Sequence, residues 1–230
     1  MVRLTRIAVL AALSFFGLNY SWSHVALASL TGAMGHCPSS AIEEARTRVQ
    51  AFVGTLSATP WIICQRRSAL GLDISHGTTR FAPFLSPFVV VGPFGVNVDV
   101  IAHELMHAEI AARTSALLRT YRVPTWFDEG LAMQLDRRSD YDQHALKMYR
   151  QSGLLSTIHL DQLASPAEFF RTGDEGKAHY AFAKCVVGRW LAASGPSEPM
   201  KVLTEVSWFR TFPNQRFDGH EKACLERSAL

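Results

Sequence analysis

Residues 97–107 read Asn97-Val98-Asp99-Val100-Ile101-Ala102-His103-Glu104-Leu105-Met106-His107, and the rest of the chain is understood from this stretch. Asn97 can cap a helix and Asp99 suits its first turn. Val98, Val100, Ile101, Leu105, Ile110 and Ala111 make that helix largely apolar, so it belongs inside the molecule. His103 and His107 are four apart, which puts them one turn apart on one face. Two imidazoles so placed reach one metal ion at the ~2.0–2.1 Å of a Zn–N bond. Glu104, beside the first of them, is placed to take a proton from a water at the metal and to deliver it to a leaving amine. The plainer alternative is a surface helix with two satisfied histidines. The apolar flanks oppose it, because ionisable groups on such a helix call for a metal or a partner.

A catalytic zinc takes three protein ligands and a water, so a third ligand must come from elsewhere. The strongest candidate lies downstream in Val123-Pro124-Thr125-Trp126-Phe127-Asp128-Glu129-Gly130-Leu131-Ala132. Pro124 marks a turn before a helix, and Trp126 and Phe127 can anchor that helix in the core. Gly130 and Ala132 are small enough for close packing on the first helix. Glu129 then completes a His₂Glu set. Its alternative role is that of a glutamate near a helix start, stabilised by the helix dipole.

These two segments together resemble the gluzincin group of zinc metallopeptidases. The likeness is greatest to the peptidase MA-like families whose second motif reads Pro-x-Trp-x-x-Glu-Gly-x-Ala. The resemblance covers about residues 97–135. It implies His103, His107 and Glu129 as Zn²⁺ ligands and Glu104 as the catalytic base. It also implies a zincin-like α+β fold: a small, mainly antiparallel sheet packed on the active-site helix, followed by an all-helical C-terminal half. A fainter likeness reaches Lys177-Ala178-His179-Tyr180-Ala181-Phe182-Ala183, where such families often show a tyrosine opening a helix. Tyr180, and less so His179, are candidates for stabilising an oxyanion; a half-buried aromatic on a long helix is the alternative for Tyr180. The sequence departs from the thermolysin-like pattern at Met133, where an aspartate supporting a ligand histidine would stand. Asp136, two turns beyond Glu129, is a weak substitute.

The 230 residues are 48% hydrophobic, enough for one well-buried core. The net charge is +3 with no basic stripe interleaved with aromatics, which argues against a nucleic-acid partner. Arg3 and Arg6 precede the apolar run Ile7 to Leu18, and Ala26-Leu27-Ala28 fits a small-residue cleavage site. Residues 1–35 are therefore expected to be a signal peptide or an N-terminal membrane anchor, with residues 36–230 as the metallopeptidase domain. The expected location is extracytoplasmic, in the periplasm for instance, with membrane association open through that segment. Oligomeric state is not legible. Four cysteines suggest disulfides in an exported chain, and Cys37–Cys64 with Cys185–Cys224 is the favoured pairing because each pair falls within one half.

Within the domain, residues 36–96 are expected to hold a helix over 41–56 and a small sheet. Its strands would lie at 61–64 and 88–91, with a turn at His76-Gly77. Phe88-Val89-Val90-Val91 reads either as an edge strand that pairs with an extended substrate or as a buried central strand. Residues 97–230 would carry the active helix to about Leu118 and then helices only, at 129–135, 141–150, 165–170, 177–193 and 199–206.

Two functions fit: a peptide-bond hydrolase acting on a peptide or protein substrate, or a non-catalytic module that keeps zinc for interaction or scaffolding. A membrane-embedded protease is excluded, because the helix carries Asp99, Glu109 and Arg113 and no further spans flank it.

Overall fold

The computed structural model describes residues 34–35, 37–65, 76–81, 87–208 and 210–226, and over these the chain is α+β. The expected export segment, apart from Met34 and Gly35, lies outside the described residues. The order is β1 (Met34–Gly35), α1 (Ser39–Val53), β2 (Trp61–Gln65), β3 (Gly77–Arg80) and β4 (Phe88–Val91). Then come α2 (Val98–Thr114), α3 (Ala116–Arg122), α4 (Thr125–Ala132), α5 (Gln143–Gln151), α6 (Pro166–Phe169), α7 (Gly173–Ser194), α8 (Glu198–Ser207) and α9 (Asp218–Leu225). No helix among the described residues is long and apolar enough to cross a membrane.

The sheet has the order β1-β2-β4-β3. Two of its pairings are antiparallel, and the central pairing of β2 with β4 is parallel, with Trp61 opposite Phe88 and Cys64 opposite Val91. The β-branched run Phe88–Val91 is thus a central strand, with Phe88, Val89 and Val91 buried. The edge strands are β1 and β3, and β3 begins at Gly77, where a turn is the sequence expectation. Its residues Gly77-Thr78-Thr79-Arg80 carry no hydrophobic alternation, so periodicity does not mark them.

The helix α2, which carries His103, Glu104 and His107, is fixed at both ends. Asn97 caps it, its side chain accepting from Val100 N at 3.0 Å. Arg48 on α1 donates to Asp99 in the first turn (2.5 Å) and to the Leu135 carbonyl just past α4 (2.8 Å), so one guanidinium ties together α1, α2 and the segment after α4. At the far end α2 stops at Thr114 instead of running to Leu118. Ser115 has φ 70°, a left-handed conformation that costs a non-glycine residue of order 1 kcal/mol. Its hydroxyl caps α3 by accepting from Leu118 N.

The helix α4 starts at Thr125, four residues ahead of the position expected for it, directly after Pro124, which is in the extended conformation (φ −61°, ψ 141°). Behind α4 lies a cluster of Trp126, Phe127, Trp190, Phe212 and Phe217. Its ring centroids are 4.8–5.8 Å apart, mostly edge-to-face. The small residue Gly130 faces α7, not the active helix. A Cβ there would stand 2.6 Å from Val187 Cγ2 and 2.8 Å from the Ala183 carbonyl oxygen. Both favoured disulfides form: Cys37–Cys64 fastens the start of the domain to β2, and Cys185–Cys224 joins α7 to α9. The helix α9 lies beyond the last one expected.

Gly130→Ala is expected to cost about 1–3 kcal/mol, since backbone and a buried valine must both give way. A thermal melt of the metal-free protein reads this as a lower Tm; an unchanged Tm would show that α4 and α7 can separate without cost.

Candidate metal centre

The helix α2 buries His103, Glu104 and His107 although all three are polar, and α4 likewise buries Asp128 and Glu129. Where the two helices face each other, His103 Nε2 and His107 Nε2 lie 3.1 Å apart. Glu129 Oε2 lies 3.2 Å from the first and 3.4 Å from the second. Three donors on a tetrahedral ion with ~2.0–2.1 Å bonds are about 3.3–3.4 Å apart, so the triangle has the size such an ion needs. These are the residues among those described that can hold a metal ion.

A second observation supports that fit. Glu129 Oε2 is buried and makes no hydrogen bond, although it stands beside two imidazoles. An unsatisfied carboxylate oxygen in a dry interior is costly, and a cation at the centre of the triangle removes the cost. Burial by itself would raise the Glu129 carboxyl; the neighbouring His107 and His103 outweigh it and hold the group well below the usual carboxylate range.

Residues the sequence reading passed over complete the support. Asp128 Oδ1 lies 2.8 Å from His107 Nδ1. A carboxylate only accepts, so Nδ1 donates and Nε2 is left to face the metal position. Arg119 on α3 pairs with the other oxygen of Asp128 at 2.5 Å. Its 3.1 Å approach to His107 Nδ1 is between two donors, which Asp128 bridges. Burial would lower the His107 pKa, yet Glu129 and Asp128 together push it up to about 10. His103 Nδ1, by contrast, has no hydrogen-bond partner among the described residues.

No protein-family model, curated protein or solved structure matches this chain. The reading of the centre therefore rests on its own geometry.

Glu104 projects from α2 toward β3. The Thr79 hydroxyl lies 2.7 Å from Glu104 Oε2 and 2.8 Å from the Glu104 carbonyl oxygen, so it donates to one or the other. Gly77 sits directly over the same side chain: a Cβ there would come within 2.8 Å of Glu104 Oε1. The edge strand thus rests on the carboxylate. Tyr180 lines the same cleft, its ring 6.3 Å from that of His103. It sits in the second turn of α7 rather than opening a helix. Burial, reinforced by Glu129 and Glu104, raises its hydroxyl well above the ordinary tyrosine range, so it stays a donor.

Other expected candidates fall away. His179 turns from the cleft and donates from Nδ1 to the Phe169 carbonyl at 2.8 Å. Asp136 is fully buried in an ion pair with Arg138 and touches neither ligand histidine. Met133, where an aspartate was sought, is packed in the core.

Glu129 and Asp128 favour the protonated form of His107 in the metal-free protein, and a metal at Nε2 must displace that proton. Loading one divalent ion is therefore expected to release a proton, read by calorimetry in buffers of different ionisation heat. Buffer-independent heats would contradict this. His103→Ala and Glu129→Ala are each expected to lose the ion; full occupancy in either variant would remove that residue from the centre.

Proposed function

We propose that the protein is a zinc-dependent peptidase of the gluzincin kind, with a zincin-like disposition of sheet and active helix. The observation that carries this reading is the placement of Glu104. It is a buried carboxylate next to the three-donor cluster, beneath an edge strand and open to a cleft of about 270 Å³. A module that kept zinc only for shape would have no need of a carboxylate that binds none of the cluster.

Bound by His103, His107 and Glu129, zinc supplies Lewis-acid polarisation of a substrate carbonyl and acidifies a water. Glu104 accepts the proton of the attacking water as the new C–O bond forms. It passes that proton to the leaving nitrogen as the C–N bond breaks, giving a carboxylic acid and an amine, which ionise to a carboxylate and an ammonium. Thr79 holds Glu104 in place for both transfers. Tyr180, kept protonated by burial, offers a hydrogen bond to the carbonyl oxygen as it gains charge. The outer side of β3 is unpaired among the described residues, so it can align an extended peptide by strand addition. The two disulfides are compatible with an extracytoplasmic setting.

The non-catalytic alternative makes a different forecast for one variant. Glu104→Gln should keep one zinc per chain and lose about 10²–10⁴-fold in cleavage of an unstructured protein substrate, the scale of a general base. Equal cleavage by wild type and variant would defeat the enzymatic reading.

A further inference from the structure

Two cavities open on the metal cluster, and they share Gly77, Thr78, His103, Glu104 and Tyr180 in their walls. One runs toward α3 and α4 and is bounded by Val123, Pro166 and Phe170. The other, about 580 Å³, runs over the start of α7 and is bounded by Arg138, Tyr141, Arg171 and Lys177. Their linings differ in kind. The second cavity has a single aliphatic side chain, Val100, and three permanent cations. Its volume lies in the range of ligand pockets.

The acids that pair with these cations stand outside the cavity wall. Lys177 meets Asp140 at 3.2 Å, and Arg171 meets Glu168 at 2.7 Å and Glu175 at 3.9 Å. These are exposed pairs: the Lys177 and Arg171 side chains are 43% and 44% exposed. Such pairs contribute little, so both cations can turn to a substrate group with small loss. Arg138 is held differently. It is tied to the fully buried Asp136 and lies over the Tyr141 ring at 5.0 Å, a fixed positive wall close to the cluster. Asp174 and Glu175, in the same turn as the cavity floor, are exposed and do not line it. Gly176 lets the Arg171 backbone sit against α7, since its carbonyl occupies the space a Cβ would take.

We infer that the preferred substrates are acidic peptides, with an aspartate or glutamate side chain near the scissile bond seated between Arg138, Arg171 and Lys177. This rests on the peptidase reading and names the substrate class for it. An aliphatic side chain finds one aliphatic neighbour in this cavity, Val100, and a basic one meets three like charges against the single carboxylate of Glu104. A carboxylate meets donors suited to charge-assisted hydrogen bonds.

The test uses zinc-loaded Glu104→Gln protein and labelled neutral peptides carrying either Glu or Gln at one position, scanned along the sequence. At one position the Glu peptide should bind about tenfold tighter than its Gln twin, the scale of one charge-assisted hydrogen bond. Adding Arg171→Glu and Lys177→Glu should abolish or reverse the preference, whereas Lys222→Glu, remote from the cleft and of the same charge change, should not. Both target side chains are half-exposed, so folding is not at stake. The same preference should appear in wild-type kcat/KM. Equal binding of Glu and Gln peptides at every position, or a preference that survives the double charge reversal, overturns the inference. If wild type cleaves neither peptide, the peptidase reading fails while the binding ratio still decides this one.

Discussion

A buried carboxylate held between two imidazoles is the constraint on which the rest of this structure depends. Glu129 Oε2 stands within 3.4 Å of both His103 and His107, with no hydrogen bond of its own. Such a carboxylate needs a compensating positive charge: a metal ion at the centre of the triangle supplies it, and the protonated form of His107, which Glu129 and Asp128 favour, supplies it without one. The fold is accordingly stiff at both contributing helices. The aromatic cluster under Trp126 and Phe127 fixes α4 from behind, Gly130 lets α7 press on it, and Arg48 locks the start of α2 to the segment after α4. A three-donor triangle of side 3.1–3.4 Å tolerates little drift, because metal bonds lengthen beyond usefulness within a few tenths of an ångström.

The sheet has a narrower task. Four short strands add little core, yet they carry β3 across Glu104. The parallel partnership of β2 and β4 sets β3 at the edge, and the Cys37–Cys64 bridge fastens β2 from the other side. Gly77 and Thr79 then do opposite things to the same carboxylate. Gly77 makes room for it by having no side chain, and Thr79 grips it by a hydroxyl. A larger residue at 77 would push the strand off the helix and open the floor of the cleft.

What was legible in the sequence follows from how local the signals are. His103, Glu104 and His107 share one helix, so their common face is a matter of spacing, and Glu129 is marked by the turn and anchors around it. The structure brings the two histidines and Glu129 together as that spacing requires. The edge strand was not legible. Phe88–Val91 has the hydrophobic run of a strand and proves central, while β3 is short, polar and identified only by its pairing with β4. Asp128 was also hidden, though it sits in the quoted segment. Its role depends on the angle at which α4 meets α2, which no spacing encodes. The position of a thermolysin-like supporting carboxylate, one turn beyond Glu129, is held by Met133, which is buried in the core.

The support that Asp128 receives from Arg119 depends on the break after Thr114. Had α2 continued to Leu118, Arg119 would have travelled away with it along the helix axis. The helix instead breaks at Ser115, at positive φ, and a separate helix α3 carries Arg119 to Asp128 at 2.5 Å. The strain at Ser115 is offset locally by its cap on Leu118 and distally by that ion pair. The result is a centre supported unequally. His107 is oriented by a chain of charges from Arg119 through Asp128, whereas His103, whose Nδ1 has no partner among the described residues, has polar contacts only at Nε2, within the triangle itself. The two ligands therefore answer to different kinds of disturbance. A change in charge at Asp128 or Arg119 reaches the donor triangle through His107, and a change in packing at Tyr180 reaches it through His103.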